Sequence, residues 1–244
     1  MATLVSASAS ASGIKPAVEA GIFDLDGVVV DTAKYHYLAW KRLANELGFD
    51  FSPEDNERLK GVSRMRSLEI LLEIGGLALD EEKKVELAEK KNQWYVEYIS
   101  KLSPSEILPG ASEFICGLRR LGIKTALASA SKNAPIILKG LGIEALFDAV
   151  VDGNTASKAK PDPEVFLLAA ARLGADPRRC AVFEDAEAGV VAARRAGMFA
   201  VGVGKPEVLR HADHVVPGFA GLDPAAIIEL IACRRETCPT RPPQ

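Results

Sequence analysis

The chain has 244 residues, enough for one or two domains, with 48% apolar and 26% charged side chains. Those values exclude a collagen-like, wholly disordered or membrane-bundle chain, and no apolar run reaches the roughly 18 residues of a spanning helix. Thirty basic against 33 acidic residues leave a net charge of −3. That supplies no field to recruit nucleic acid or an anionic membrane, so neither is expected as a partner.

Residues 1–20 read as a flexible extension: 6–13 is SASASASG, without hydrophobic periodicity. Lys15 is its only basic residue, and it lacks the charged start and apolar stretch of a secretory signal. A cytoplasmic location is the expectation; the Ser/Ala richness leaves an organellar transit peptide open. A short apolar strand at 21–23 then runs into Asp24-Leu25-Asp26-Gly27. From 33 to 103 only helical patterns follow, at 33–47, 53–59, 64–74 and 80–101, separated by Gly48, Pro53, Gly61 and Gly75-Gly76. Nineteen charged side chains crowd into 51–100, as a small helical module with much solvated surface requires. Beyond it, strands at 124–128, 148–151, 181–183 and 198–203 alternate with helices at 111–121, 133–141, 162–174 and 187–196. The pattern predicts an α/β protein: a Rossmann-like parallel sheet core from 21–32 and 104–236, covered on both faces, with an all-helical domain of 33–103 inserted and a loose tail at 237–244.

Four cysteines, Cys116, Cys180, Cys233 and Cys238, form no zinc set and read as free thiols, with Cys116 and Cys180 in the core. Nothing points beyond a monomer.

Asp24 and Asp26 stand two apart at a strand end, which puts both carboxylates on one face at the carboxyl edge of the sheet, where ligands bind in open α/β folds. Two like charges there call for a cation or a proton. The pair is also readable as loop-start acids beside a turn glycine. Glu184-Asp185 ends another strand, one carboxylate facing the site directly and the other helping indirectly. With Asp24 they form an oxygen-rich set suited to Mg²⁺, or, on spacing alone, a helix N-terminal acid pair. Ser129 is followed by Ala130, Ser131, Lys132 and Asn133, a hydroxyl and successive backbone N–H groups at a helix start that can cradle an anion. Lys160 precedes Pro161-Asp162-Pro163, where Asp162 is expected to cap the next helix and Pro163 to open its first turn. Lys158 reads as a surface residue, and Asp31 as a helix N-cap.

FDLDGVVVDT (23–32), ALASASKN (126–133), SKAKPDPEVF (157–166) and VFEDAEAGV (182–190) resemble, in order and spacing, the four motifs of the haloacid dehalogenase superfamily. AKYHYLAWK (33–41), LKGVSR (59–64) and KKNQWYV (90–96) resemble the helical cap of its β-phosphoglucomutase family, and GVGKPEVL (202–209) the late loop of that family. The likeness spans about residues 21 to 223, and only the Ala-Glu after Glu184-Asp185 and the N-terminal extension depart from it.

The resemblance implies a Mg²⁺-dependent isomerase that interconverts β-D-glucose 1-phosphate and β-D-glucose 6-phosphate through β-D-glucose 1,6-bisphosphate, which also serves as primer. Asp24 would be the nucleophile and Asp26 the general acid/base, its pKa raised by burial and phosphate charge. Mg²⁺ would bind Asp24, the backbone carbonyl of Asp26 and Asp185, with Glu184 in support. Lys160 and Ser129 would hold the transferring phosphoryl group, and Arg64 with Ser131, Lys132 and Asn133 a second, distal phosphate. His36 and Lys91 would belong to the cap machinery that positions Asp26 and restrains premature hydrolysis, Thr32 and Lys60 would fit the hinge and the sugar contacts, and Trp40, Gly61 and Ala130 would be among the substrate contacts. A sugar-phosphate phosphatase on the same scaffold is the alternative, and a non-catalytic phosphosugar-binding regulator a third reading. Outside these motifs, Gly202-Val203-Gly204-Lys205 lacks the Ser/Thr of a phosphate loop. His211 and His214 lack further metal ligands and read as exposed.

Overall fold

The structure, a computed structural model, describes residues 17–59 and 62–237, with side chains to residue 235. The expectations for residues 1–16, for Lys60 and Gly61, and for 238–244 with Cys238 lie outside the described residues.

Six strands, β1 (Ala20–Phe23), β2 (Lys124–Ala128), β3 (Ala149–Val151), β4 (Cys180–Glu184), β5 (Phe199–Val203) and β6 (His214–Val216), pair in parallel in the order β3-β2-β1-β4-β5-β6. Short runs rich in Val, Ala and Phe are what a strand buried on both faces requires. Alternate side chains feed opposite faces. Phe23, Phe183 and Val201 join the core beneath α5 (Ala111–Arg120), α6 (Ala134–Leu141) and α9 (Pro224–Thr237). Ile22, Val182 and Ala200 join the second core under α7 (Glu164–Leu173) and α8 (Glu187–Arg195). Phe23 stacks on Phe183 with ring centroids 4.6 Å apart, locking β1 to β4.

Chain progression runs from β1 toward β2 on one side and from β4 outward on the other. Direction therefore reverses at β1, and the crevice of an open α/β sheet opens at such a point, beyond the strands' carboxyl ends. Over that edge lie α1 (Ala33–Glu46), α2 (Pro53–Glu57), α3 (Arg64–Gly75) and α4 (Glu81–Ile99), all inserted between β1 and β2. Their apolar stripes, Trp40 and Leu43 from α1, Leu68 and Leu71 from α3, Trp94 and Tyr95 from α4, pack together and continue into the core above the sheet. Ser52, Ser63 and Asp80 cap α2, α3 and α4 through side-chain oxygens, so the helix starts are written locally.

Several expectations need correction. Val18 is buried and the Glu19 amide donates to the Arg179 carbonyl, so residues 18–20 belong to the fold and not to an extension. β6 and α9 had no predicted counterpart. His214 lies within β6, half-buried rather than exposed, with its imidazole pKa pushed below the usual value by burial and then by Arg234. Cys116 is half-buried rather than a core residue, whereas Cys180 is buried; both are free thiols. Thr32, not Asp31, sits at the α1 N-cap. The α7 helix begins at Glu164 with Pro163 at the cap, and Asp162 Oδ1 still accepts the Glu164 amide at 3.0 Å. No described helix is long and apolar enough to cross a membrane.

Candidate active site

Strand pairing on β1 stops at Phe23, and the chain then turns: the Leu25 carbonyl accepts from the amides of Val29 and Val30, and the Gly27 amide donates to the Val30 carbonyl. Asp24 and Asp26 thus reach the same cavity through a tight turn rather than through the pleat of a strand, because the strand has already ended. Gly27 is required twice over, by its φ of +80° and because a Cβ there would lie 2.2 Å from Asp185 Oδ2.

That cavity, about 660 Å³, opens between the sheet edge and the four inserted helices. Its floor holds Asp24, Glu184 and Asp185, each of which offers one carboxylate oxygen, the three lying within 4.8 Å of one another. Lys160, only 1% of its side chain exposed, donates to Asp24 Oδ1 at 2.5 Å and to Glu184 Oε2 at 2.8 Å. Glu184 Oε1 accepts the Ala186 amide at 3.1 Å. One lysine cannot neutralise this many carboxylates. Despite burial, Asp24 and Glu184 hold Lys160 protonated, above the usual lysine range. The surplus negative charge falls on Glu184, pushed up to about 8 mainly by burial, with the Asp24 and Asp185 charges adding to it against Lys160. A compact all-oxygen set with excess negative charge fits a hard divalent cation such as Mg²⁺, with these three side chains as its candidate holders.

Asp26 stands beside this cluster. Burial first, and then the Asp24 charge, raise its pKa to about 7. The Thr32 hydroxyl donates to Asp26 Oδ1 and has no part in capping α1, which explains why that helix start lacks a side-chain cap. His36 Nε2 lies 3.9 Å from the same oxygen. On its far side His36 Nδ1 is 3.0 Å from Lys91 Nζ, and its ring stacks on Tyr95 at 4.0 Å between centroids. In the state with Lys91 protonated, its ammonium can only donate, so Nδ1 accepts and the imidazole proton sits on Nε2, toward Asp26. Burial, then the Lys91 and Arg64 charges, hold the imidazole neutral, well below its usual value. Lys91 is itself buried over the Trp40 ring, 4.4 Å from its centroid, and is depressed to about 7 by burial and then by Arg64.

The opposite wall carries the other predicted groups. Ser129 is buried, and its hydroxyl accepts the Ser131 amide at 3.0 Å; the Ser131 hydroxyl accepts the Asn133 amide at 3.2 Å. Ala130 and Lys132 line the same rim, and Arg64 faces it from the start of α3. Two poles result: carboxylates with Lys160 on the floor, and Arg64, Lys91 and Lys132 above. Every predicted site residue among those described lines this cavity, apart from Thr32, which acts on Asp26 from behind.

Sequence reasoning missed Glu89 and Asn92 on α4 and the 153–157 segment, all in the cavity wall. The buried Asp152 holds that segment by accepting the amides of Asn154 and Thr155. A readable signal existed only for Asp152, an Asx turn before glycine.

Comparison with known proteins agrees with this geometry. Residues 18–197 match the family model of the haloacid dehalogenase-like hydrolases. The chain is 50% identical over 201 residues to a β-phosphoglucomutase of Bacillus subtilis, covering 82% of this chain and 89% of that protein. It is 35% identical over 188 residues to a phosphorylated carbohydrates phosphatase of Thermotoga maritima, covering 74% and 82%. The crystal structure of a β-phosphoglucomutase from Clostridium difficile superposes with a TM-score of 0.85 at 43% identity, over 90% of this chain and 99% of that one.

Proposed function

The chain belongs to the haloacid dehalogenase-like hydrolase family and to its β-phosphoglucomutase branch, and from that premise we propose that it interconverts β-D-glucose 1-phosphate and β-D-glucose 6-phosphate through β-D-glucose 1,6-bisphosphate. The observation that carries the reading is the two-poled cavity. A phosphatase needs one phosphate site; here a nucleophile-bearing floor faces a second cationic rim built from Arg64 and Lys132. A sugar bisphosphate that turns over between half-reactions fits both ends.

In this reading Asp24 attacks the phosphorus and carries the phosphoryl group as an aspartyl phosphate. Asp26, raised to about 7, is poised to give a proton to the leaving sugar oxygen and to take one from the attacking hydroxyl of the other half-reaction. Thr32 and the Nε2–H of His36 fix the orientation of its carboxyl group. Lys160 keeps Asp24 in place and offers positive charge to the transferring oxygens, while the Ser129 hydroxyl, held by the Ser131 amide, binds them. Mg²⁺ would be held by Asp24, Asp185 and the Asp26 carbonyl with Glu184 in support, and when bound it neutralises charge on the transferring phosphoryl group. Arg64, Ser131, Lys132 and Asn133 hold the distal phosphate, with Trp40 and Ala130 around the sugar. Residues 33–103 act as the cap that shuts water out during transfer and opens for the intermediate to reorient.

With Mg²⁺ and bisphosphate primer, β-D-glucose 1-phosphate should yield glucose 6-phosphate with little inorganic phosphate. Stoichiometric phosphate release would make the chain a phosphatase instead. Asp24→Asn should abolish turnover with the circular dichroism spectrum unchanged; retained activity would remove Asp24 as nucleophile.

A further inference from the structure

The distal rim is not waiting empty-handed for a phosphate. Arg64 Nη1 already lies 3.2 Å from Glu89 Oε2, a carboxylate on α4 that also lines the cavity. One turn on, Asn92 leans its amide toward Glu89 Oε1 at 3.5 Å, and Asn92 Oδ1 accepts from Asn133 Nδ2 at 2.8 Å. The string Arg64, Glu89, Asn92, Asn133 thus runs from α3 across α4 to the residue that opens α6. Both ends of it are groups assigned above to the distal phosphate. The arginine has no other carboxylate within ion-pair distance among the described residues. Glu89 is 56% exposed, so its hold on Arg64 is weak. Burial still leaves the guanidinium pKa below its usual value despite Glu89, so the site can gain from a stronger anion.

We infer that Glu89 is a built-in placeholder for the distal phosphate, a positioning residue that occupies Arg64 until a sugar phosphate displaces it. The inference rests on the mutase reading and adds a specificity device to it. A dianionic phosphate, bound bidentately by Arg64 and by the amide of Asn133, outcompetes a single exposed carboxylate. Singly charged or weakly held anions do not, so Glu89 sets a threshold for what engages Arg64. Displacement also releases Asn133 from Asn92, coupling distal binding to the contact between the inserted helices and the sheet.

The test compares wild type, Glu89→Gln and Glu89→Ala in the primed mutase assay, each also in an Arg64→Ala background. In both single variants the KM for β-D-glucose 1-phosphate and the inhibition constant of inorganic phosphate should fall about three-fold, the scale of a half-exposed ion pair. The kcat should stay level or drop as product leaves more slowly. In the Arg64→Ala background the same Glu89 substitutions should change neither constant. An unchanged or raised KM, a lower melting temperature with unaltered KM, or an equal effect without Arg64 would each overturn the inference. If wild type itself fails to make glucose 6-phosphate, the mutase reading falls; if it succeeds and the variants match it, only the placeholder role falls.

Discussion

Removing Lys160 tests the electrostatic logic of the cavity floor directly. Its ammonium is the buried counter-charge for Asp24 at 2.5 Å and Glu184 at 2.8 Å. Lys160→Ala leaves Asp24 and Glu184 with no other cation within ion-pair distance among the described residues, and breaking a buried pair from one side costs about 3–5 kcal/mol. A stranded carboxylate can escape by binding a proton. Its cost is therefore capped at about 1.36 kcal/mol per pH unit above an ordinary aspartate value near 3.9: about 5.6 kcal/mol at pH 8 and about 1.5 kcal/mol at pH 5. For a chain of this size, about 3–5 kcal/mol lowers the melting temperature by roughly 6–20 °C.

The assay is thermal unfolding followed by circular dichroism in a chelator, wild type against variant, at pH 8 and pH 5. The deficit should be large at pH 8, about 3–5 kcal/mol, and shrink to about 1.5 kcal/mol or less, half or less of that value, at pH 5. Phosphoryl transfer should fall by about two to three orders of magnitude at either pH, because a fixed positive charge next to the transferring group is gone. A deficit equal at both pH values would mean that Lys160 contributes through packing, against the Phe166 ring 5.0 Å away, and not through charge. No deficit at pH 8 would refute the argument altogether.

Three further outcomes follow from the same geometry. Glu184 is raised from 4.5 to about 8 in the metal-free protein, so that state gains stability from the bound proton at low pH and loses it as pH rises through this window. Mg²⁺ replaces the proton, and its stabilisation, read as a shift in melting temperature, should grow from pH 5.5 to pH 8; a flat or opposite trend would remove the carboxylates as its holders. Gly189→Ala should gain about 1 kcal/mol from helix propensity in α8. Its Cβ would instead lie 2.1 Å from Glu184 Cδ, so urea unfolding should show a net loss of about 1–3 kcal/mol together with lost activity, and a stabilised, active variant would contradict the packing. Lys91, depressed from 10.5 to about 7, costs stability as pH falls through that interval. Lys91→Met should then be at least as stable as wild type at pH 7.5, by no more than about 4 kcal/mol, yet slower in mutase turnover. A destabilised variant at that pH would sink this account.

The sheet was legible because its strands are short apolar runs punctuated by Gly, Pro and Asp, and the turn after β1 because Asp-Leu-Asp-Gly has few other uses. β6 escaped notice because three residues carry no period, and His214 looked exposed because nothing local announces that its strand pairs with β5. The N-cap of α1 shows the limit more sharply. Asp31 is the better capping residue in isolation, but Thr32 takes the position with its hydroxyl turned to Asp26, a preference set by a partner six residues earlier across a turn. Glu89 and Asn92 were illegible for the same reason. On a 19-residue helix crowded with charge they look like solvated surface. Only the approach of α3 on one side and of Asn133 on the other gives them partners. The residues that do the chemistry follow local rules of strand end and turn; those that govern when it happens depend on which elements meet, and sequence spacing along one helix carries none of that.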